Sequence, residues 1–328
     1  MIETYATLGP ACCRQEVLEQ MLALGLTGFR LNLSHRSLAE CRPWTQALRQ
    51  AAAATGTAPQ LIIDLRGGET RLLALPAPIP LQPGEELLLG RDGIPLEPDV
   101  LQALQPGQTI LVDDGIMELT VLRRQADQVF CRCQRGGVVE GRKSLTLPGL
   151  ELVRPALSEE DEADLACARE HGVTAVMQPF VRSRKDLLEL RQALERHGLT
   201  ELRIFAKVED AQGVETLPEW MELCDVVTIA RGDLGSNLPL FQLPRAQKKM
   251  AAQCRAAGKD FLVVTHLLQS MIHVSQPTRA EVCDVYNACL DGAAALMLTG
   301  ETAQGAYPVE AVKILLELAH WGELDRQA

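Results

Sequence analysis

The chain contains no apolar run approaching the roughly 18 residues of a membrane-spanning helix, so no transmembrane segment is expected. Its start, Met1-Ile2-Glu3-Thr4-Tyr5-Ala6-Thr7, lacks the basic and apolar regions of a secretory leader, and a cytoplasmic location without a membrane partner is expected. Basic residues are not in excess: 32 Lys and Arg face 43 Asp and Glu, a net charge of −11 spread along the chain. That excludes the concentrated basic surface that duplex nucleic acid or anionic lipid demands, so no nucleic-acid partner is expected. An anionic small substrate would need a local cluster of cations or a metal ion. The ten cysteines form no C-x-x-C, and the tight pairs Cys12-Cys13 and Cys131-x-Cys133 hold no metal by themselves. Scattered reduced thiols are expected rather than disulfides or structural zinc. No phosphate-binding glycine loop precedes Gly258-Lys259, and no G-x-G-x-x-G occurs, which argues against a Walker-type kinase and a Rossmann dehydrogenase.

What is present is an ordinary globular composition, 47% hydrophobic and 23% charged over 328 residues, enough for two domains or one large barrel with an insertion. Eight short apolar runs recur: Thr4–Leu8, Gly28–Leu33, Gln60–Asp64, Thr174–Gln178, Arg203–Lys207, Val226–Ala230, Phe261–Thr265 and Ala294–Leu298. Helical patterns fall between them at Arg14–Leu24, Leu38–Ala54, Glu159–His171, Lys185–His197, Leu243–Ala257, Arg279–Leu290 and Val309–His320. Near-continuous apolar strands alternating with amphipathic helices predict a parallel sheet covered on both faces. Eight such units predict an α/β fold of the closed (β/α)8 TIM-barrel type.

Residues 72–143 break this rhythm. They carry Pro76, Pro78, Pro80 and Pro83, turn signals at Pro83-Gly84, Arg91-Asp92-Gly93 and Asp113-Asp114-Gly115, and β-type runs at Thr109–Val112, Ile116–Leu122 and Val129–Cys133. A small all-β domain inserted after the third strand is predicted, with the barrel formed by 1–71 and 144–328.

In such a barrel, chemistry collects at the C-terminal ends of the strands. The second strand ends Arg30-Leu31-Asn32-Leu33-Ser34-His35, and the period of two puts Arg30, Asn32 and Ser34 on one face. A guanidinium beside neutral oxygens suits a phosphate with a cation; a satisfied polar barrel interior reads the same way. Lys207-Val208-Glu209 likewise puts an ammonium beside a carboxylate, which is also the pattern of a simple ion pair. Ala230-Arg231-Gly232-Asp233-Leu234-Gly235 adds a second carboxylate among glycines, and two carboxylates completed by water and substrate oxygens are a common way to hold magnesium. Thr265 and Thr299-Gly300-Glu301-Thr302 add hydroxyls to the rim, where a threonine more often caps a helix.

These residues resemble the pyruvate kinase family along nearly the whole chain. The blocks that carry the resemblance are Thr7–Ala11, Arg30–His35, Asp64–Arg71, Asp113-Asp114-Gly115, Leu147-Pro148-Gly149, Ala206–Gly213, Ala230–Gly235, Pro277–Glu281 and Met297–Ala303. The resemblance implies a barrel with a β-domain lid, and transfer of the phosphoryl group of phosphoenolpyruvate to ADP, giving pyruvate and ATP in glycolysis. It implies Mg2+ (or Mn2+) held by Glu209 and Asp233, and K+ held by Asn32, Ser34, Asp64 and the Leu65 carbonyl, with Glu69 linked to that role. Lys207 and Arg30 would meet the phosphate, the amides of Gly232 and Asp233 the substrate carboxylate, and Thr265 the carbon that is protonated. Pro10, His35, Arg71 and Lys143 match positions around the nucleotide. Because the sequence stops soon after the eighth helix, the family's C-terminal allosteric domain and its effector control are not expected, and association is expected to stop at a homodimer through barrel surfaces.

The chain departs from the family pattern at five positions. Pro179 stands for a serine before Phe180, His266 for a glutamine, Leu65 for a threonine, Arg36 for a glycine, and Glu40 for a tyrosine that lies against adenine. Arg36 and Glu40 fall on the nucleotide side. Two other readings follow: a phosphoenolpyruvate or keto-acid enzyme with a different acceptor, and a non-catalytic metabolite-binding homologue.

Overall fold

The computed structural model describes residues 1–327 apart from His35, Glu69, Asp114, Ala126 and 151–153. The chain begins β1 (Glu3–Thr7), α1 (Gln15–Ala23), β2 (Gly28–Asn32), α2 (Arg42–Thr55), β3 (Gln60–Asp64). It continues through β4 (Ile79–Leu81), β5 (Glu86–Gly90), α3 (Pro98–Ala103), β6 (Thr109–Val112), β7 (Met117–Gln125), β8 (Gln128–Arg135), β9 (Gly137–Val139) and β10 (Leu145–Thr146). Then follow α4 (Glu159–His171), β11 (Ala175–Gln178), α5 (Arg184–Arg196), β12 (Arg203–Val208), α6 (Ala211–Trp220), β13 (Val226–Ala230), α7 (Arg231–Asn237) and α8 (Leu243–Ala256). The last elements are β14 (Asp260–Val264), α9 (Arg279–Leu290), β15 (Ala295–Met297), α10 (Gly300–Ala303) and α11 (Pro308–Gln327).

Eight parallel strands close in the order β1-β15-β14-β13-β12-β11-β3-β2, so the expected (β/α)8 barrel is met. Burial on both faces explains the near-continuous apolar strands: every residue of β11 and β13 is buried. Alternate residues fill the interior, where Tyr5, Ile62, Met177, Phe205, Leu262, Val264 and Met297 form one cluster. At its floor the Tyr5 and Phe205 rings meet edge to face, 6.0 Å apart. Burial and the neighbouring Glu3 carboxylate raise the Tyr5 phenol well above its ordinary range.

The chain divides into two compact units. The first comprises Met1–Gly67, Ala156–Arg231 and Pro244–Ala328; the second comprises Gly68–Pro155 and Gly232–Leu243. The second unit has a five-stranded antiparallel sheet, β10-β6-β7-β8-β5, and a two-stranded ribbon, β4-β9, around a core that includes Leu89, Ile110, Leu119, Val121, Val129 and Cys131. This stretch is not all-β, because α3 starts at Pro98 and buries Val100 and Leu101; proline at the first helical position is pre-set for a helix.

Local chemistry moved several boundaries. α2 starts at Arg42 rather than Leu38, because Glu40 folds back to accept from the Ser37 amide and hydroxyl in a turn. β2 stops at Asn32, whose Oδ1 accepts from the Ser34 amide at 3.1 Å, so Ser34 lies in a turn and the strand alternation does not reach it. α6, opened by Asp210 accepting from the Gly213 amide, was not among the expected helices; it buries Gly213, Val214, Leu217 and Trp220 and contains Pro218. α11 runs to Gln327, past the expected His320. Among the described residues every cysteine is free, as expected. No described helix is long and apolar enough to cross a membrane.

Candidate active site

The C-terminal ends of β1, β2, β3 and β12 bring one polar cluster together in the first unit. Asp64, ending β3 and 1% exposed, is its hub. Its Oδ2 accepts from Arg30 Nε at 2.8 Å and Nη2 at 2.5 Å, and the Lys207 ammonium stands 3.3–3.4 Å from both Asp64 oxygens. Lys207 also pairs with Glu209 Oε1 at 2.8 Å, while Glu209 Oε2 accepts from the Phe180 amide at 2.8 Å. Arg30 Nη1 donates to Thr7 Oγ1 at 3.2 Å. The carboxylates are deepest, with side chains 0–2% exposed, and the cations sit at 11–12%. The cations are therefore the more exposed members of the cluster, held in place by buried acids.

Asn32 and Asp64 are register partners on adjacent strands, and Ser34 and the buried Leu65 follow them. This is an all-oxygen set of amide, hydroxyl, carboxylate and carbonyl, which suits a hard cation. Glu209 is an acceptor-only buried carboxylate of the kind that suits a divalent ion. Among the described residues no group of three or more His, Cys, Asp or Glu could hold a metal, so a divalent ion here would need substrate oxygens or water as well.

Thr265 follows β14 in the same unit with φ 69°, and His266 follows with φ 53°. Pro10 is exposed in the turn after β1, where Ala11 donates to the Ala303 carbonyl at 3.0 Å and a Cβ on Gly9 would meet that carbonyl oxygen at 2.4 Å. Only glycine fits there. Pro179 is buried against Gly67, itself at φ 55°, where a Cβ would lie 2.6 Å from the proline ring.

Within the second unit, Arg71 and Lys143 come together. Arg71 bridges to Ser144 and donates to the Arg142 carbonyl at 2.7 Å; Lys143 pairs with Asp113 at 3.1 Å and Glu140 at 3.4 Å. Burial lowers the Lys143 pKa, but the Asp113 and Glu140 carboxylates outweigh it and raise the value above that of a free lysine. Gly232 and Asp233 lie in the first turn of α7; Asn237 Nδ2 donates to the Asp233 carbonyl at 3.0 Å. His35 and Glu69 lie outside the described residues.

Sequence reading placed Thr302 only as a rim hydroxyl and gave no role to Asp161, Asp164 or the Glu301 carboxylate, all of which support this site. Thr302 Oγ1 accepts from the Thr7 amide at 2.9 Å and so steadies Thr7 beneath Arg30. Buried Glu301 accepts from the amides of Leu268 and Thr299, tying the turns after β14 and β15 together. Asp161, fully buried on α4, accepts from the amides of Arg66, Gly67 and Ser158, and Asp164 grips the Leu38 amide and Arg66 Nη1. The Ser158-x-x-Asp161 spacing of a capping box was the visible signal for Asp161. Arg231, quoted only as part of a motif, is 6% exposed and fully engaged.

The sequence profile of the family described as "Pyruvate kinase, barrel domain" matches residues 2–312. The pyruvate kinase of Bacillus licheniformis is 34% identical across 97% of this chain and 56% of its own length, and that of Geobacillus stearothermophilus is 35% identical across 95% and 55%. The pyruvate kinase of Clostridium perfringens is 31% identical across 97% of this chain and 69% of its own length. The chain thus spans little more than half the length of the first two relatives. With a closed eight-stranded barrel, an ion-paired Arg30–Asp64–Lys207–Glu209 cluster at its strand ends and this profile match over most of its length, the chain belongs to the pyruvate kinase family.

Proposed function

We propose that this chain carries the phosphotransferase activity of its family, moving the phosphoryl group of phosphoenolpyruvate to ADP to give pyruvate and ATP. The observation that carries the reading is the Arg30–Asp64–Lys207–Glu209 cluster: two part-exposed cations fixed by two buried carboxylates. Fixed cations are what phosphoryl transfer needs, because its catalysis is mostly positioning and charge neutralisation. Arg30 clamps the phosphate and Lys207 offsets the charge on the phosphoryl oxygens. The amides of Gly232 and Asp233, in the first turn of α7, receive the substrate carboxylate. Thr265 lies beside the carbon that gains the proton. Glu209 with Asp233 would hold Mg2+ or Mn2+, and Asn32, Ser34, Asp64 and the Leu65 carbonyl would hold K+. When bound, these ions supply charge that offsets that of phosphoryl and enolate oxygens. Pro10, Arg71 and Lys143 serve the nucleotide, the inserted domain over 72–143 acts as a lid, and a cytoplasmic glycolytic role with pairing through barrel surfaces completes the reading.

The test is pyruvate release from phosphoenolpyruvate with ADP, Mg2+ and K+, coupled to lactate dehydrogenase, with Lys207→Met as control. Turnover of roughly 1–100 per second in the wild type and none in the variant is the expected result. No wild-type turnover overturns it.

A second reading keeps the phosphoenolpyruvate half and changes the acceptor. Arg36 stacks over Trp44, 5.1 Å from the ring centroid, and Glu40 turns away to Ser37, so no aromatic ring stands at position 40 to receive a base. Ordinary ADP affinity in a titration removes this reading.

A further inference from the structure

Two consecutive residues at the end of β14, Thr265 and His266, adopt left-handed backbone angles, φ 69° and 53°. For a β-branched residue this conformation is a steric outlier, and it persists only where the surroundings impose it. Within those surroundings, one side chain grips both residues. Arg231 Nε and Nη2 donate to the Thr265 carbonyl at 3.1 and 2.8 Å, and Nη2 also reaches the His266 carbonyl at 2.9 Å. Nη1 is held at 2.7 Å by Asp284 Oδ2 on α9. A planar fork with three anchored nitrogens fixes the orientation of both carbonyls, and with it the intervening peptide plane.

We infer that Arg231 is a positioning residue that sets the backbone of Thr265 and so aims it at the carbon being protonated; this deepens the proposed function and rests on it. Phosphoryl transfer leaves an enolate whose carbon takes up a proton from solvent at the Thr265 side, forming the C–H bond of the pyruvate methyl group. Arg231 neither gains nor loses a proton in that step. Lysine could keep the charge opposite Asp284 but not the fork.

The experiment compares wild type, Arg231→Met and Arg231→Lys in three readouts. These are deuterium uptake into the pyruvate methyl group by NMR with Mg2+ and K+, kcat and KM for phosphoenolpyruvate, and the backbone at 264–267 in crystals. In Arg231→Met the Thr265 backbone should leave the left-handed region and methyl exchange should fall about 10²-fold, with KM for phosphoenolpyruvate unchanged; Arg231→Lys should recover part of the exchange. If Arg231→Met fails to fold, Arg231→Lys carries the test, with exchange below wild type and KM unchanged expected. Wild-type exchange and backbone in the variants overturn the inference, as does a loss in which KM rises along with the fall in exchange. A wild type without turnover or exchange overturns the proposed function instead, and the crystal comparison still decides whether Arg231 sets the backbone.

Discussion

Arg30 and Asp64 are joined by two donors on a single oxygen, Nε at 2.8 Å and Nη2 at 2.5 Å from Oδ2. The pair spans adjacent strands and leaves Lys207 within 3.4 Å of the same carboxylate, so one buried acid orients both cations of the site.

Asp64→Asn should therefore damage stability and activity together. Removing one partner of a buried ion pair costs about 3–5 kcal/mol, and here two cations lose their counter-charge. A clear fall in Tm with loss of turnover is expected, read by calorimetry and the coupled assay; an unchanged Tm would show that water compensates Asp64.

Lys207→Met keeps the length of the side chain and removes the charge. Loss of one preorganised transition-state donor costs about 10²–10³ in kcat, and a buried ammonium on the phosphoryl group should meet or exceed that. Circular dichroism should stay native. Retained turnover would move the site elsewhere.

Glu209→Gln should raise the Mg2+ concentration needed for half-maximal turnover, because a neutral amide replaces a carboxylate that fits a hard cation. Asp233→Ala should do the same. Unchanged metal dependence in either variant removes that residue as a ligand.

His171 gives a pH signature away from the site. It is 4% exposed, with Nδ1 3.0 Å from Thr45 Oγ1, and burial followed by the Arg42 charge holds its pKa below 6.5. Since the folded pKa is the lower one, the unfolded chain takes up the proton first as pH falls. The stability from neutral His171 is full above 6.5 and drains away as pH drops from there through the folded value. His171→Gln should flatten the fall of Tm as pH drops below 6.5; an unaltered profile would assign the slope to other groups.

Asp161→Ala should be among the most destabilising single changes outside the strands. It strands the amides of Arg66, Gly67 and Ser158, part-buried donors each worth up to about 1–3 kcal/mol when left unpaired. Chemical denaturation measures the loss, and an effect within the range of a surface substitution would mean water reaches those amides.

The barrel was legible in the sequence because its strands are buried on both faces, so Val226–Ala230 and Gln60–Asp64 read as near-continuous apolar runs with their observed ends. The site was legible where strand geometry carried it: a period of two placed Lys207 beside Glu209, and the contact is 2.8 Å. The same rule failed at Ser34, because the Asn32 side chain ended the strand through its own hydrogen bond. α3 escaped because a six-residue helix is too short to show a period, and α6 because its internal Pro218 reads as a helix breaker although Val214, Leu217 and Trp220 keep helical spacing.

The sequence alone determined the family, the order of strands and helices, and which residue types gather at the strand ends, since these follow from local pattern and spacing. Only the tertiary structure decided which groups share charge. That Asp64 serves Arg30 and Lys207, that Asp161 binds three amides, and that Arg231 grips Thr265 and His266 are contacts between residues from 3 to 143 positions apart. Most of these pairings arise from closure of the barrel, and no local period encodes them.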